Sequence, residues 1–569
     1  MKVKKNIRLS VIGYCLMAIG LTSCNDFLDI QPMNDVVLEN YWTQKSDVTS
    51  VLSGCYESLE SADCVTRMGL WGEVRSDNMK AAPSVSWEVE QIVKENILPT
   101  NSFCRWTAFY QVINRCNIVC HYAPIVQQKD PNYTLAEMQA NVAEATTLRS
   151  LCYFYLIRTF RDVPFTREPS IDDTQNYQLP ATKFDDVLDS LIVDLEAVKD
   201  QAVRRYYTDD NALAYTNTSR ITRYAVYALL ADLYLWKGNW DKCIDHCDRV
   251  IAFKQQQYEE MREREGNISN IDLFNDIPLI LERPVGSNTY GNVYNEVFGV
   301  GNSFESLFEL YYASQMSPTN SYIPNYYLNS NGGSVTVGNL SVPTDFYEGL
   351  PEQKTTLFAV TDCRAHENIH RFSTATHAIA KYARQNVSFN LQGTVTASTL
   401  RLNPQMRTTN YANWIFYRLT DIMLMKAEAL VERAQDGDFD EAFTMVDAVY
   451  RRANNLLTAN ASGVLKKEDY NTSQQTMREL VQDERHRELM FEGKRWYDLV
   501  RMARRDGNTK GLANIVVEKQ TVNQNGIKIK LADPNIIYYP YYRDELKVNP
   551  YLVQNPAYRT GVDEDLSKN

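Results

Sequence analysis

Along Gln475–Arg505 the apolar residues recur at steps of three and four: Met477, Leu480 and Val481, then Phe491. That period predicts one long amphipathic helix, opened by a capping box between Thr472 and Gln475. Glu484 and Glu488 fall on the same stripe, and Glu492 extends the acidic row. Like charges at that spacing repel, so the row requires cations. Arg487, Arg495 and Arg418 are the candidates. Two neighbouring carboxylates can form a general acid–base pair. A buried, arginine-neutralised network that fixes helix packing accounts for them with fewer assumptions. No residue is assigned a catalytic role.

The helical period recurs through the first half. Trp42–Leu59 carries Val48, Val51, Leu52, Cys55, Tyr56 and Leu59 on one face. Phe103–Tyr122 carries Trp106, Phe109, Tyr110, Ile113, Cys116, Asn117 and Cys120. Ala143–Phe160 carries Leu148, Leu151, Cys152, Tyr155, Leu156 and Thr159, and ends before Val163-Pro164, as a helix meeting proline should. In Tyr224–Ile251, the residues Leu230, Ala231, Tyr234, Gly238, Trp240 and Cys243 stand in phase with a tetratricopeptide repeat. Gly238–Cys243 is echoed by Gly437-Asp438-Phe439-Asp440-Glu441-Ala442. Repeats so far apart predict helical pairs brought together in space, with insertions between them.

Between Phe253 and Asn413 the period fades, and Gly, Asn, Ser, Thr and Tyr rise. Val285–Gly301 and Asn320–Val342 read as tyrosine-studded loops, and Ser303–Tyr312 as a short strand. Loops this long inside a compact protein are usually functional. The tail, Asn535–Tyr558, has no helical period and is rich in proline, which predicts extended segments on the surface of the helical core. The fold class is mainly α: a tetratricopeptide-like helical-repeat scaffold (an α-α superhelix) with a large loop-rich insertion containing short strands.

The first residues change the setting. Lys2, Lys4, Lys5 and Arg8 precede the apolar run Val11–Leu21, which is too short to span a bilayer. Leu21-Thr22-Ser23-Cys24 looks like a bacterial lipobox, with Cys24 taking the lipid. Several acyl chains, at about 0.8 kcal/mol per buried CH₂, make a stable anchor. Losing those four basic residues takes the formal charge of the 569-residue chain from −12 to −16, which argues against nucleic acid as a partner. Cys116/Cys120 and Cys243/Cys247 are each four apart on predicted helices. No His or Cys is spaced to complete a metal site with them, so they read as small buried residues. No cofactor, metal or dedicated calcium loop is predicted.

The chain holds 36 tyrosines and 8 tryptophans. Aromatic faces stack on the apolar faces of sugar rings, and polar neighbours meet the hydroxyls. Most of these aromatics belong to the core, so the ligand-binding candidates are those in loops with polar neighbours. They are Arg75 and Asn78 (within Arg75-Ser76-Asp77-Asn78) with Trp87, then Tyr290 and Tyr294, then Tyr326 and Tyr327.

Several blocks together resemble the SusD/RagB family of outer-membrane nutrient-binding lipoproteins. Glu484-Arg485, Arg487-Glu488-Leu489, Phe491-Glu492-Gly493, Arg495 and Asp498-Leu499 match its ER-x-x-EL-x-x-E-G-x-R-x-x-DL block. Ala143–Pro164 is similar to its EA-x-x-LRA…VP block, with Ser150 where alanine is usual. Ser303–Tyr312 resembles its S-x-E-x-IFE element, Asp362-Cys363-Arg364 its D-x-R, Lys381-Tyr382 its KY, and Arg418, Asp421 and Glu428 its R-x-x-D…AEA pattern. Tyr539-Pro540, Glu545, Asn549-Pro550, Leu552 and Gln554-Asn555-Pro556 match its closing motif, with Tyr541-Tyr542 for Ile-Pro and Ala557 for glycine. The resemblance implies a signal peptide over 1–23, a lipidated tether over 24–39, helical parts over 40–252 and 413–569, and the inserted region over 253–412. It implies a cell-surface lipoprotein over a SusC-like TonB-dependent transporter in the outer membrane, capturing an oligo- or polysaccharide without catalysis. Ligand contacts are expected in the early and inserted loops. A peptide-capturing RagB-like lipoprotein and an α-helical-barrel glycan-degrading enzyme are the alternatives, beside a pure helical-repeat adaptor.

Overall fold

The computed structural model describes residues 41–172, 175–208, 211–266, 268–313, 317–331, 334–343, 357–359, 361–372, 376–390, 402–407, 411–455 and 463–559. Cys24 and the segments predicted as signal and tether lie outside the described residues.

Helix α1 (Lys45–Leu59) starts with a capping box between Gln44 and Asp47 and buries Val48, Leu52, Cys55 and Leu59. Helix α2 (Ala62–Gly69) widens into a π-helical turn, Leu70–Val74. Helix α3 (Trp87–Val93) is short and capped by Ser86. Helices α4 (Thr107–Lys129) and α5 (Leu135–Phe160) run longer than their apolar stripes predict. From Ala143 to Phe160 every residue of α5 is buried, the mark of a helix packed on all sides.

The row continues through α6 (Phe184–Val198), the single turn α7 (Thr216–Ser219), α8 (Arg223–Lys237) and α9 (Trp240–Glu265). Gly238 closes the α8–α9 turn at φ +76°, a left-handed conformation that suits glycine. Ala231 and Cys243 are fully buried where the two helices meet. The second repeat pair is α10 (Leu419–Arg433) and α11 (Asp438–Ala453), and α9 packs against α10. The two sequence-distant repeats are therefore neighbours in one helical stack, as their spacing predicts.

Strand β1 (Lys80–Ala81) lies in the early loop. Strand β2 (Ser306–Leu310) forms at the predicted place. The insertion adds β3 (Leu340–Val342), β4 (Ile369–Arg371) and β5 (His377–Ile379). Strand β6 (Trp414–Arg418) pairs antiparallel with β2, Trp414 opposite Leu310 and Ile415 opposite Glu309.

Two expectations need correction. The predicted long helix is two: α12 (Gln474–Leu489), capped by Ser473 with Thr476 rather than Thr472 with Gln475, and α13 (Arg495–Asp506). Phe491 and Gly493 between them stand at φ +66° and +71°. The buried Glu73 carboxylate fixes this break by accepting from the backbone N–H of Phe491 (2.8 Å) and Lys494 (3.1 Å). An acid at a helix N-terminus also favours the helix dipole. The tail, in turn, is not superficial. Tyr538, Tyr539 and Tyr541 are buried, and Tyr539 N–H bonds to Thr159 O at 2.8 Å.

Candidate functional site

Strand β1 of the early loop pairs with β3 of the insertion, Lys80 opposite Ser341 and Ala81 opposite Leu340. Strands β5 and β4 complete a four-stranded sheet in the order β1-β3-β5-β4. The stitching continues outside the ladder: Ala82 N–H bonds to Asn339 O (3.1 Å), and Asn339 N–H to Asn325 O (3.0 Å). Two segments that the sequence separates by about 260 positions thus build one surface.

Trp87 stands at that surface, at the first position of α3, with 57% of its area exposed. Its base is fixed. The Glu88 carboxylate accepts from Ser102 N–H (2.7 Å) and Ser102 Oγ (2.6 Å), and Asn101 Nδ2 donates to Glu88 O (2.9 Å). Tyr326 is half-buried beside Tyr322, ring centroids 5.1 Å apart. Burial pushes its phenol up to about 12, and it lies within electrostatic reach of Arg67 and Glu88. Tyr326 therefore lies near the start of α3, on which Trp87 stands exposed. Phe372, 40% exposed just past β4, sits at the far edge of the same sheet; the sequence reading missed it.

Tyr290 lies elsewhere. It bridges to Phe389 with stacked rings 5.9 Å apart, and its hydroxyl accepts from Asn455 Nδ2 at 3.0 Å. Four other candidates are struts, not surface. Arg75 is 1% exposed: its guanidinium donates to Glu95 Oε2 (2.9 and 2.6 Å) and to the carbonyls of Ile536 and Ile537 (2.8 Å each). It also lies 4.1 Å over the Trp496 ring. Buried Asn78 donates to Glu73 Oε1 (2.6 Å) and bonds His486 Nε2 (2.5 Å). The hydroxyl of buried Tyr294 donates to Ala380 O (2.8 Å), and that of buried Tyr327 to Phe491 O (2.7 Å). Buried polar groups must find such partners, and these have spent their hydrogen bonds inside the protein.

The acidic row is likewise internal. Arg364 Nη1 reaches Glu484 (2.7 Å) and Glu488 (2.9 Å). Glu488 also meets Arg418 (2.6 Å) and Arg452 (2.5 Å), and Glu492 meets Arg418 and Lys381, both at 2.7 Å. Burial opposes ionisation of Glu488, but Arg452, Arg418 and Arg364 outweigh it and hold the carboxyl well below the usual range. Of the three predicted cations, Arg418 joins the cluster and Arg487 pairs with Glu484 at 2.9 Å. Arg495 turns instead to Asp77 (2.9 Å). The D-x-R and KY residues Arg364 and Lys381 supply what it does not. Cys116, Cys243 and Cys247 are buried free thiols, and Cys120 is a half-buried one. Among the described residues no group of three or more His, Cys, Asp or Glu is placed to hold a metal.

A cleft of about 500 Å³ also escaped the sequence reading. It lies between Arg204 and Arg205, residues 214–218, α9 and the loop entering β2, and is lined by Arg204, Tyr215, Tyr224, Phe253, Asn302 and Tyr311 among others. The run Arg204-Arg205-Tyr206-Tyr207, with Tyr215 following in a polar stretch, was the signal that marked it.

Comparison with known proteins gives one answer along the chain. Residues 26–235 match the family described as "Starch-binding associating with outer membrane", and residues 372–558 match the SusD family. SusD-like protein P38 of Formosa agariphila is 23% identical over 575 residues, covering 98% of this chain and 100% of that one. A SusD-like protein of Bacteroides ovatus is 26% identical over 284 residues, 47% of this chain and 46% of its own. Among solved structures, a SusD superfamily protein from Bacteroides thetaiotaomicron superposes with a TM-score of 0.61 at 18% identity, covering 91% of this chain and 99% of its own. Surface glycan-binding protein A from Bacteroides uniformis gives 0.62 at 20% identity, covering 90% and 100%.

Proposed function

The chain belongs to the SusD/RagB family, and from that premise we propose that it is a cell-surface lipoprotein that captures an oligo- or polysaccharide. It hands the ligand to a SusC-like TonB-dependent transporter in the outer membrane. Cys24 carries the lipid that holds it there; among the described residues no helix is long and apolar enough to cross a membrane. The role is binding without chemistry, and the one conspicuous carboxylate row is already neutralised by buried arginines and a lysine.

The observation that carries this reading is Trp87: a tryptophan more than half exposed on a braced helix start. A large exposed aromatic on a rigid base is a stacking platform that costs little ordering on binding. A delivery protein also needs its ligand to leave, which a shallow platform permits.

The test is equilibrium binding of the full chain, purified in detergent, to a panel of oligosaccharides and peptides, beside Trp87→Ala. Binding of one glycan class, weakened in the variant, supports the reading. Binding of peptides alone moves it to the RagB-like alternative, and release of shortened sugars would revive the enzyme.

A further inference from the structure

The cleft beside α9 has features of a built site. Its volume of about 500 Å³ falls within the roughly 300–1,000 Å³ usual for small-molecule sites. Aromatic pairs line it: Tyr224 stacks on Phe253 with centroids 3.5 Å apart and planes at 11°, and Tyr215 on Tyr311 at 4.8 Å and 27°. Tyr215 is 37% exposed, at the mouth.

The walls are tied to each other. Asn217 Oδ1 accepts from Tyr206 N–H (2.7 Å) and Tyr207 N–H (3.1 Å), while its Nδ2 donates to Tyr207 O (2.8 Å). Across the cleft Thr218 Oγ1 donates to Asn302 Oδ1 at 2.7 Å. A pre-formed cleft loses little entropy when filled.

Its charge runs against that of the molecule. In a chain of net charge −12, Arg204 and Arg205 line the cleft, and Arg220 and Arg223 follow nearby in the sequence. Three are engaged: Arg205 with Glu260 (3.2 Å), Arg220 with Glu144 (2.7 Å) and Arg223 with Asp200 O (2.5 Å). Among the described residues, exposed Arg204 donates to a hydroxyl, Tyr224 at 3.3 Å. Among the described residues no carboxylate stands within ion-pair distance of it. A guanidinium fork matches the paired oxygens of a carboxylate or a sulfate, and a neutral sugar would leave it in water.

We propose that this cleft is a second sugar site, which takes a residue carrying an anionic group, carboxylate or sulfate ester. Arg204 is its ionic contact and Tyr215 with Tyr311 its stacking face. The proposal rests on the glycan reading above and adds a ligand class and a location to it.

The test titrates an oligouronate, a sulfated oligosaccharide and a neutral oligosaccharide of equal length into the full chain, at low and high salt. The expected result is binding of one anionic probe, weakened by salt, and by about tenfold in Arg204→Gln and in Tyr215→Ala, one charge-assisted bond or stacked ring being of that order. Which anionic probe binds tells carboxylate from sulfate. Both side chains are at the surface, so both variants melt like wild type. Failure of both anionic probes, or anionic binding unmoved by either variant, overturns the proposal. If a neutral glycan still binds through Trp87, the cleft alone has failed; if nothing binds, the glycan reading falls with it.

Discussion

Gly72 faces the backbone of Gly493 so closely that a Cβ added to it would lie 1.8 Å from the Gly493 carbonyl oxygen. The wide turn after α2 and the break between α12 and α13 are thereby pressed together, with Glu73 bonding across the join. Gly72→Ala is therefore expected to destabilise by about 1–3 kcal/mol or more, as overpacking does. Gly54→Ala, which meets only the flexible end of Arg115 within α1, should be neutral or gain up to about 1 kcal/mol of helix propensity. Urea denaturation of both variants gives the comparison; equal midpoints would mean that the two loops are free to separate.

Glu488 is gripped by three arginines. Glu488→Gln takes one carboxylate from all three, leaving Arg364 with Asp362 and Glu484, Arg418 with Glu492 and Arg452 with Glu305; breaking a buried pair from one side costs about 3–5 kcal/mol. The expected outcome is a lower unfolding midpoint with glycan binding intact wherever the variant is folded. A variant with wild-type stability would show that the cluster contributes nothing net.

Stability should pass through a maximum in mildly acid solution. Burial resists the charged form of Glu492, but Arg418 and Lys381 hold its carboxyl down to about 2. Burial first, then Arg495, holds the His486 imidazole down to about 3. Both groups bind fewer protons folded than unfolded. Their contribution is present above the ordinary values and lost as pH falls, for His486 from about 6.5 towards 3 and for Glu492 from about 4.5 towards 2. Glu282 and Glu367 have the opposite sign. Burial raises both, aided at Glu282 by the charge of Glu367, which itself sits at about 7. The contribution of Glu367 is lost as pH rises from about 4.5 towards 7, and that of Glu282 as pH rises above the ordinary carboxylate range. Melting temperature measured from pH 3 to 9 should show both limbs, and Glu282→Gln should flatten the upper one. A profile flat below pH 5 would refute the assignment of the lower limb.

Trp87→Ala and Arg75→Ala should separate binding from folding. Trp87 is mostly in water and Arg75 is sealed between Glu95, Trp496 and the tail. The first should weaken glycan binding by about tenfold, since aromatic contacts are worth roughly 0.5–1.5 kcal/mol beyond their area, and leave the melt unchanged. The second should lower stability by several kcal/mol through the orphaned Glu95 charge. Calorimetry and binding on the same samples decide; a melt shift in Trp87→Ala would place its ring in the core.

What the sequence revealed and concealed follows one physical line. The repeats were legible because Ala231, Gly238 and Cys243 act within some 20 residues of one another, where period and turn chemistry suffice. The break at Phe491–Gly493 was hidden because the apolar and acidic stripe continues across it; the forces that bend the chain come from Glu73, over 400 positions away. Arg75 and Trp87 looked alike as loop residues, and Glu95, the Trp496 ring and the distant carbonyls of Ile536 and Ile537 tell them apart. The cleft of Arg204 and Tyr215 needed Tyr311, at the far end of β2, to become visible.

Strand β2 leaves the helical stack at Leu310 and β6 returns to it at Trp414, directly opposite. A long excursion that starts and ends at the same address can change its length at little cost, because the entropy of closing it grows only with the logarithm of its size. The scaffold's own repeats need not register what is written in between. The constraints sit where the excursion touches the scaffold: β3 on Lys80 and Ala81, Tyr327 on the Phe491 carbonyl, and Arg364 and Lys381 on Glu484, Glu488 and Glu492. The stretches between those contacts can be rewritten as a cassette, provided each new version keeps them.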